Sequence, residues 1–263
     1  MKKYIIAVAA LALALSILQM VLMLQPSLQA QEDIGIRGGG TREMGQSVNG
    51  SIVYGEPYDR WTFQGTQGQL VVITMEASAG TLDPYLELLD PNGVREALNK
   101  DSGPGNAARI STPLLKSGQY TIVAKDVDSL TVGSYVLRLT DPAHLPNLSP
   151  GRSVRAIVRQ AAFSDLYTFT GTADQGVILT VDSVGGLGLP YLELLGPNGY
   201  AVVSTSTTTC SPGVNQAMVR TLPSDGPYVV AVYDYWGATP GSYRLILSIF
   251  SSAEATGTPT AIL

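Results

Sequence analysis

A chain with one histidine and one cysteine has little from which to build a reactive site. His144 and Cys210 are the single examples of each in 263 residues. Serine-type catalysis needs a nucleophile, a base and a group that orients the base, and the usual base is histidine. His144 lies in a proline-rich stretch with Pro142, Pro146 and Pro150, and no Gly-x-Ser-x-Gly elbow occurs in the sequence. A zinc hydrolase needs several His or Cys ligands, so that route fails by count. Carboxylates remain, because Glu87 and Glu193 sit in identical Tyr-Leu-Glu-Leu-Leu surroundings. A glycosidase would need two carboxylates across one sugar. These two belong to separate copies of one segment, with apolar neighbours on either side, and each fits an outward-facing charge on a strand. The chain therefore reads as non-enzymatic.

Two groups of residues suit binding instead. Asp83, Asp90 and Asn92 flank one apolar segment and Asp101 follows in the next turn. Oxygen ligands gathered this way suit calcium. The same residues suit turn formation, since Asp and Asn side chains accept bonds from nearby backbone N–H groups. The second group is Tyr233, Tyr235 and Trp236, which face Lys125, Val127 and Asp128 at the corresponding places of the other copy. A structural demand acts on both copies, whereas a binding surface can belong to one. Exposed rings make stacking platforms for sugars or proline-rich strands; the alternative has Tyr233 covering a core edge and Trp236 packing at a domain junction. Cys210 has no neighbour that would activate it and reads as a loop thiol.

The elements that must hold these residues come in duplicate. Asp83 to Gly93 reads DPYLELLDPNG, and Leu189 to Gly199 reads LPYLELLGPNG, displaced by 106 residues. The register holds upstream through Asp59/Asp165, Phe63/Phe169 and Gln69/Gln175. Downstream the displacement is 108, pairing Tyr120 with Tyr228 and Tyr135 with Tyr243, so a loop between strands carries two extra residues. Asp59-Arg60-Trp61-Thr62-Phe63 places Trp61 and Phe63 on one face of a strand, and Pro-Asn-Gly closes the repeated segment in a tight turn. Short alternating strands at even spacing, frequent glycine and proline, and 13 tyrosines predict an all-β protein. Its two tandem β-sandwiches, jelly-roll-like, have about eight strands each.

Lys2-Lys3, an apolar run from Tyr4 to Leu24 and small residues before Gln31 form an export signal. The run is also long enough for an uncleaved anchor, which would bring membrane contact. The expected boundaries are a signal peptide at 1–30, a flexible spacer at 31–44, repeat 1 at 45–140 and a proline-rich linker at 141–150. Repeat 2 then covers 151–250, and a disordered tail covers 251–263. The formal charge is −5, more acidic still without Lys2 and Lys3. With no basic stripe to displace counterions, nucleic acid is excluded as a partner.

Three features resemble the bacterial pre-peptidase C-terminal domain: the Asp-x-aromatic-x-Phe strand (Asp59, Trp61, Phe63), the Leu82 to Gly93 core, and the closing Gly-x-Tyr strands. The second copy departs from it where Leu189 and Gly196 replace the core aspartates. The resemblance implies β-sandwich modules without catalytic residues, of a kind that binds collagen-like or polysaccharide surfaces, sometimes with calcium. The expected function is an exported pair of non-catalytic modules that binds a polysaccharide or an extracellular matrix or partner protein at the cell surface. The alternative is a structural or assembly subunit of an envelope complex.

Overall fold

The computed structural model describes residues 39–159, 164–205 and 216–250. The expected signal peptide, the tail, Cys210 and residues 31–38 lie outside them. Among the described residues the structure is strands and turns, with one 3-10 turn at Pro142–His144.

In the first repeat β1 (Gly39–Arg42), β3 (Tyr58–Gly65), β8 (Gly118–Asp126), β5 (Pro84–Leu89) and β6 (Arg95–Asn99) form one sheet in that order. The facing sheet runs β2 (Ser47–Ile52), β9 (Gly133–Thr140), β4 (Leu70–Gly80), β7 (Ala108–Pro113). In the second repeat the order β11 (Asp165–Gly171), β16 (Gly226–Asp234), β13 (Pro190–Leu195), β14 (Ala201–Ser204) faces β10 (Ser153–Val158), β17 (Gly241–Phe250), β12 (Gly176–Gly185), β15 (Gln216–Thr221). Apart from β1 the two topologies are the same.

Each sandwich closes on its own core by period-two burial. Along β3 Trp61 and Phe63 point inward, and Phe63 stacks on Tyr120 at 5.5 Å between ring centroids. Phe169 stacks on Tyr228 at 5.4 Å in the second core. A polar thread runs through each core. Trp61 Nε1 donates to the Tyr135 hydroxyl at 2.9 Å, and that hydroxyl donates to Asp59 Oδ2. In the second repeat Tyr243 donates to Asp165 Oδ2 at 2.7 Å, and the Tyr167 and Tyr243 hydroxyls lie 2.6 Å apart. Burial and the neighbouring carboxylate push the Tyr135 and Tyr243 phenols far above their ordinary range. The repeated Asp-x-aromatic pattern is thus an internal hydrogen-bond requirement.

Both connecting segments pair with an edge strand of a repeat. Within the expected spacer, Gly39–Arg42 is a strand parallel to β3, with Thr41 opposite Thr62. Within the expected linker, Asn147 bridges Thr168 in the same parallel sense, 106 residues further on. Leu148 is buried in the second core, and Asp141 caps the 3-10 turn by accepting from Ala143 N at 2.8 Å. These segments carry few apolar residues, so periodicity could not find them; their backbone pairs with an edge strand already present.

The sandwiches are joined face to face. Every residue of β4 from Leu70 to Glu76 is buried. Val71, Ile73 and Met75 enter the first core, while Leu70 packs with Leu195, Val229, Leu145 and Leu166 of the second repeat and its approach. Arg109 on β7 pairs with Glu193 on β13 within this seam. The described residues of the two repeats accordingly fall in one compact unit.

Trp61→Ala is expected to lower the unfolding free energy by about 3 to 5 kcal/mol, measured by chemical denaturation of the whole protein. A loss below about 1 kcal/mol would take the ring out of the core.

Candidate functional site at the seam between the repeats

The site begins with a carboxylate that ties a loop. Asp234, at the end of β16, accepts from Leu189 N (2.7 Å), Ala238 N (2.8 Å) and Thr239 N (3.3 Å). The tight turn that follows, closed by Gly237 N donating to the Asp234 carbonyl, presents Trp236 with 69% of its surface exposed. Asp126 does the same work in the first repeat, accepting from Asp83 N (3.0 Å), Leu130 N (3.0 Å) and Thr131 N (3.2 Å). Burial opposes ionisation of Asp126, but bonds from Thr131 and the backbone outweigh it and hold the carboxyl low. Sequence reasoning missed this pair. The signal was present, since Asp126 and Asp234 are identical at the displacement of 108.

Cross-strand pairing then builds an aromatic corner. Tyr191 on β13 stands opposite Tyr233 on β16. The Tyr191 ring lies 5.1 Å from Tyr233, tilted by 38°, and 5.1 Å from Tyr235, tilted by 41°. Tyr235 meets Trp236 edge-on at 4.8 Å and 77°. The facing wall is the turn from Asp101 to Asn106 of the first repeat. Gly105 N donates to the Tyr235 carbonyl at 3.3 Å. Gly105 has φ +59°, and a Cβ there would sit 3.1 Å from the Trp236 carbonyl oxygen, so the approach favours glycine. At the base Glu193 Oε2 pairs with the buried Arg109 and accepts from the Tyr233 hydroxyl at 3.2 Å. Burial and the Glu193 charge drive the Tyr233 phenol well above its usual range. Together these residues enclose a cleft of about 370 Å³. A second cleft of about 440 Å³ shares Ser102 and Glu193 with it and continues along the seam to Tyr200.

The structure divides the predicted sites. Tyr235 and Trp236 line the cleft, and Tyr233 lines it as a nearly buried ring, 5% exposed, so it belongs to the floor as well. Asp101 joins them there rather than the other aspartates. Asp83 lies at the same end of the first sandwich; burial, then the Asp101 and Asp126 charges, raise its carboxyl. Asp90 and Asn92 lie at the other end of β5, roughly 20 Å away by strand rise. Asp90 accepts from Asn92 N (2.8 Å) and Val94 N (2.9 Å) and pairs with Lys116, which holds its carboxyl low. The expected set Asp83, Asp90, Asn92 and Asp101 therefore does not assemble. The length of β5 (Pro84–Leu89) separates its members. Among the described residues no three His, Cys, Asp or Glu side chains are gathered for a metal.

Residues 57–125 match the family profile of the bacterial pre-peptidase C-terminal domain. The first repeat carries a bacterial pre-peptidase C-terminal domain. Domains of this kind are non-catalytic modules. Among solved structures, the chain is similar to the pre-peptidase C-terminal domain of a collagenase from Bacillus anthracis, at 17% identity over 39% of this chain and 94% of that one, TM-score 0.34. It is similar to PliG of Aeromonas hydrophila, a periplasmic inhibitor of g-type lysozyme, at 13% identity over 39% and 96%, TM-score 0.29. A third is CorA, a surface-associated copper-binding protein of Methylomicrobium album BG8, at 10% identity over 41% and 99%, TM-score 0.29. No curated protein sequence matches the chain. The matched segment runs from the start of β3 to the end of β8, so it holds Asp59 and Trp61 of the core thread but not Tyr135. The sheets that this segment belongs to continue beyond it, and their strand order recurs in the second repeat.

The seam also contains Glu76, 1% exposed on β4. Burial raises its carboxyl to about 8, with the Arg138 charge pulling the other way. The folded protein thus keeps a proton that the unfolded chain releases above its ordinary value of 4.5. Stability should decline as pH rises from about 4.5 to about 8, by a few kcal/mol, and level off above that. Glu76→Gln is expected to flatten this decline, leaving the melting temperature at pH 5 near that of the parent and raising it at pH 8. A variant with the parent's pH profile would show that Glu76 ionises freely in the fold.

Proposed function

We propose that the protein is an exported, non-catalytic binding protein that holds a polysaccharide in the seam cleft. The observation that carries this reading is the corner of Tyr191, Tyr235 and Trp236, open beside hydrogen-bonding groups on Ser102, Asn106 and Ser204. Aromatic faces take the apolar faces of sugar rings, and hydroxyl and amide groups fix the sugar hydroxyls. Glu193 does not act as an acid or base here, because Arg109 and Tyr233 already hold it. The place of action is outside the cytoplasm, in keeping with the export signal expected from residues 1–30 of the sequence. Replacing Tyr235 and Trp236 together by alanine is expected to weaken glycan binding by about 1 to 3 kcal/mol, read on a glycan array and by calorimetry. Trp236 is largely exposed, so melting should change little. A variant that melts far lower while its folded fraction binds normally would make the rings structural.

One observation favours assembly as a second reading. The β10-β17-β12-β15 sheet matches the first-repeat sheet buried at the seam, yet it presents Ala217 and exposed Val219 where that sheet has Arg109 and Ser111. A second copy packed there would be seen by sedimentation, and Val219→Lys should dissociate it. A monomer at all concentrations rejects this reading.

A further inference from the structure

We infer that the polysaccharide held in the seam cleft carries free amino groups, so that the cleft recognises an ammonium on a sugar. This rests on the polysaccharide reading above and narrows it. The rings do not form a flat shelf. Their tilts of 38°, 41° and 77° set the rings at angles to one another around the space that Tyr191, Tyr233, Tyr235 and Trp236 all line. Such a corner suits a compact cation, which the negative ring faces attract from more than one side. Two carboxylates line the same space, Asp101 and Glu193, and no Lys, Arg or His does among the described residues. Arg109 lies beneath, 4% exposed and committed to Glu193. Lys100 reaches Asp101 only at 3.9 Å, with both side chains more than half exposed, a pair of little strength. Asp83, Asp126 and Asp128 lie in the same neighbourhood as Asp101 and add negative potential there.

The first repeat supplies an internal precedent. At the positions of Tyr191, Glu193 and Tyr233 it has Tyr85, Glu87 and Lys125. The Lys125 ammonium lies 4.6 Å from the centre of the Tyr85 ring and 3.0 Å from Glu87. There the chain fills its own aromatic and acidic corner with an ammonium. In the second repeat that lysine is a tyrosine, Arg109 of the first repeat takes the place beside Glu193, and the corner gains Tyr235 and Trp236, whose faces no cation of the chain fills among the described residues. A sugar fits better than a peptide because no aliphatic side chain lines the cleft, while Ser102, Asn106 and Ser204 offer partners for hydroxyls.

The test compares two hexamers that differ only at nitrogen, β-1,4-linked glucosamine and its N-acetylated form, by calorimetry on the whole protein at pH 6 and low salt. The free amine is expected to bind at least about tenfold more tightly, with the advantage shrinking as salt is raised. Asp101→Asn and Trp236→Ala, both at exposed side chains, should each remove most of that advantage while circular dichroism is unchanged. Equal binding of the two hexamers, indifferent to salt, overturns the amino-group inference and leaves the polysaccharide reading in place. Binding of a lysine hexapeptide with neither sugar bound, lost in Trp236→Ala, puts the ammonium on a protein and overturns both. Binding of none of the three also overturns both.

Discussion

The burial of one sheet face against another governs the surface of this protein. Part of the outer side of β4 and β7 is not an outside, because Leu70 and Arg109 there pack against residues of the β11-β16-β13-β14 sheet. Sheet-on-sheet packing normally joins two apolar inner faces of one sandwich. Here it also joins two outer faces that are mixed in character, with Leu70, Val229 and Leu195 at the centre and Arg109, Glu193, Glu76 and Arg138 around them. A buried ion pair such as Arg109 with Glu193 contributes little net stability, yet losing either partner strands the other. Its effect is to fix the register in which the two sandwiches meet. The turn at Gly199 sits too close to the Ser111 carbonyl for any side chain, which adds a steric limit to the same register.

The cleft follows from that register. Two sheet faces brought together leave grooves beside the contact, and their lining is whatever side chains the strand ends and turns present. The loop from Asp101 to Asn106 was built by the first repeat and the aromatic corner by the second. Neither alone encloses a space. The Asp126 and Asp234 ties make this possible by holding the loops after β8 and β16 in the same shape, so that their side chains diverge without disturbing the fold.

Duplication followed by divergence explains why identical residues do different work. Glu87 is held by Lys125 and Arg95 at the surface of one repeat. Glu193, with the same neighbours in sequence, is 8% exposed and bonded to Arg109 and Tyr233. The difference lies in what the seam places in front of each, and mixed faces of this kind can be either solvated or covered at modest cost.

The sequence by itself determined most of the strands, the duplication, the two cores and the difference between the copies at Tyr233, Tyr235 and Trp236. Those properties are local or periodic: alternation at Trp61 and Phe63, turn chemistry at Pro91-Asn92-Gly93, and identity at fixed displacement. Only the tertiary structure decided which carboxylates come together. Strand length drew Asp90 and Asn92 away from Asp83, and packing between repeats carried Asp101 to the aromatic rings of the other copy. Pairing with existing edges made a strand of Gly39–Arg42, whose residues carry no periodic signal. Contacts between faces of separate sandwiches depend on shape and on the pairing of distant charges, and neither is written in any one segment of chain.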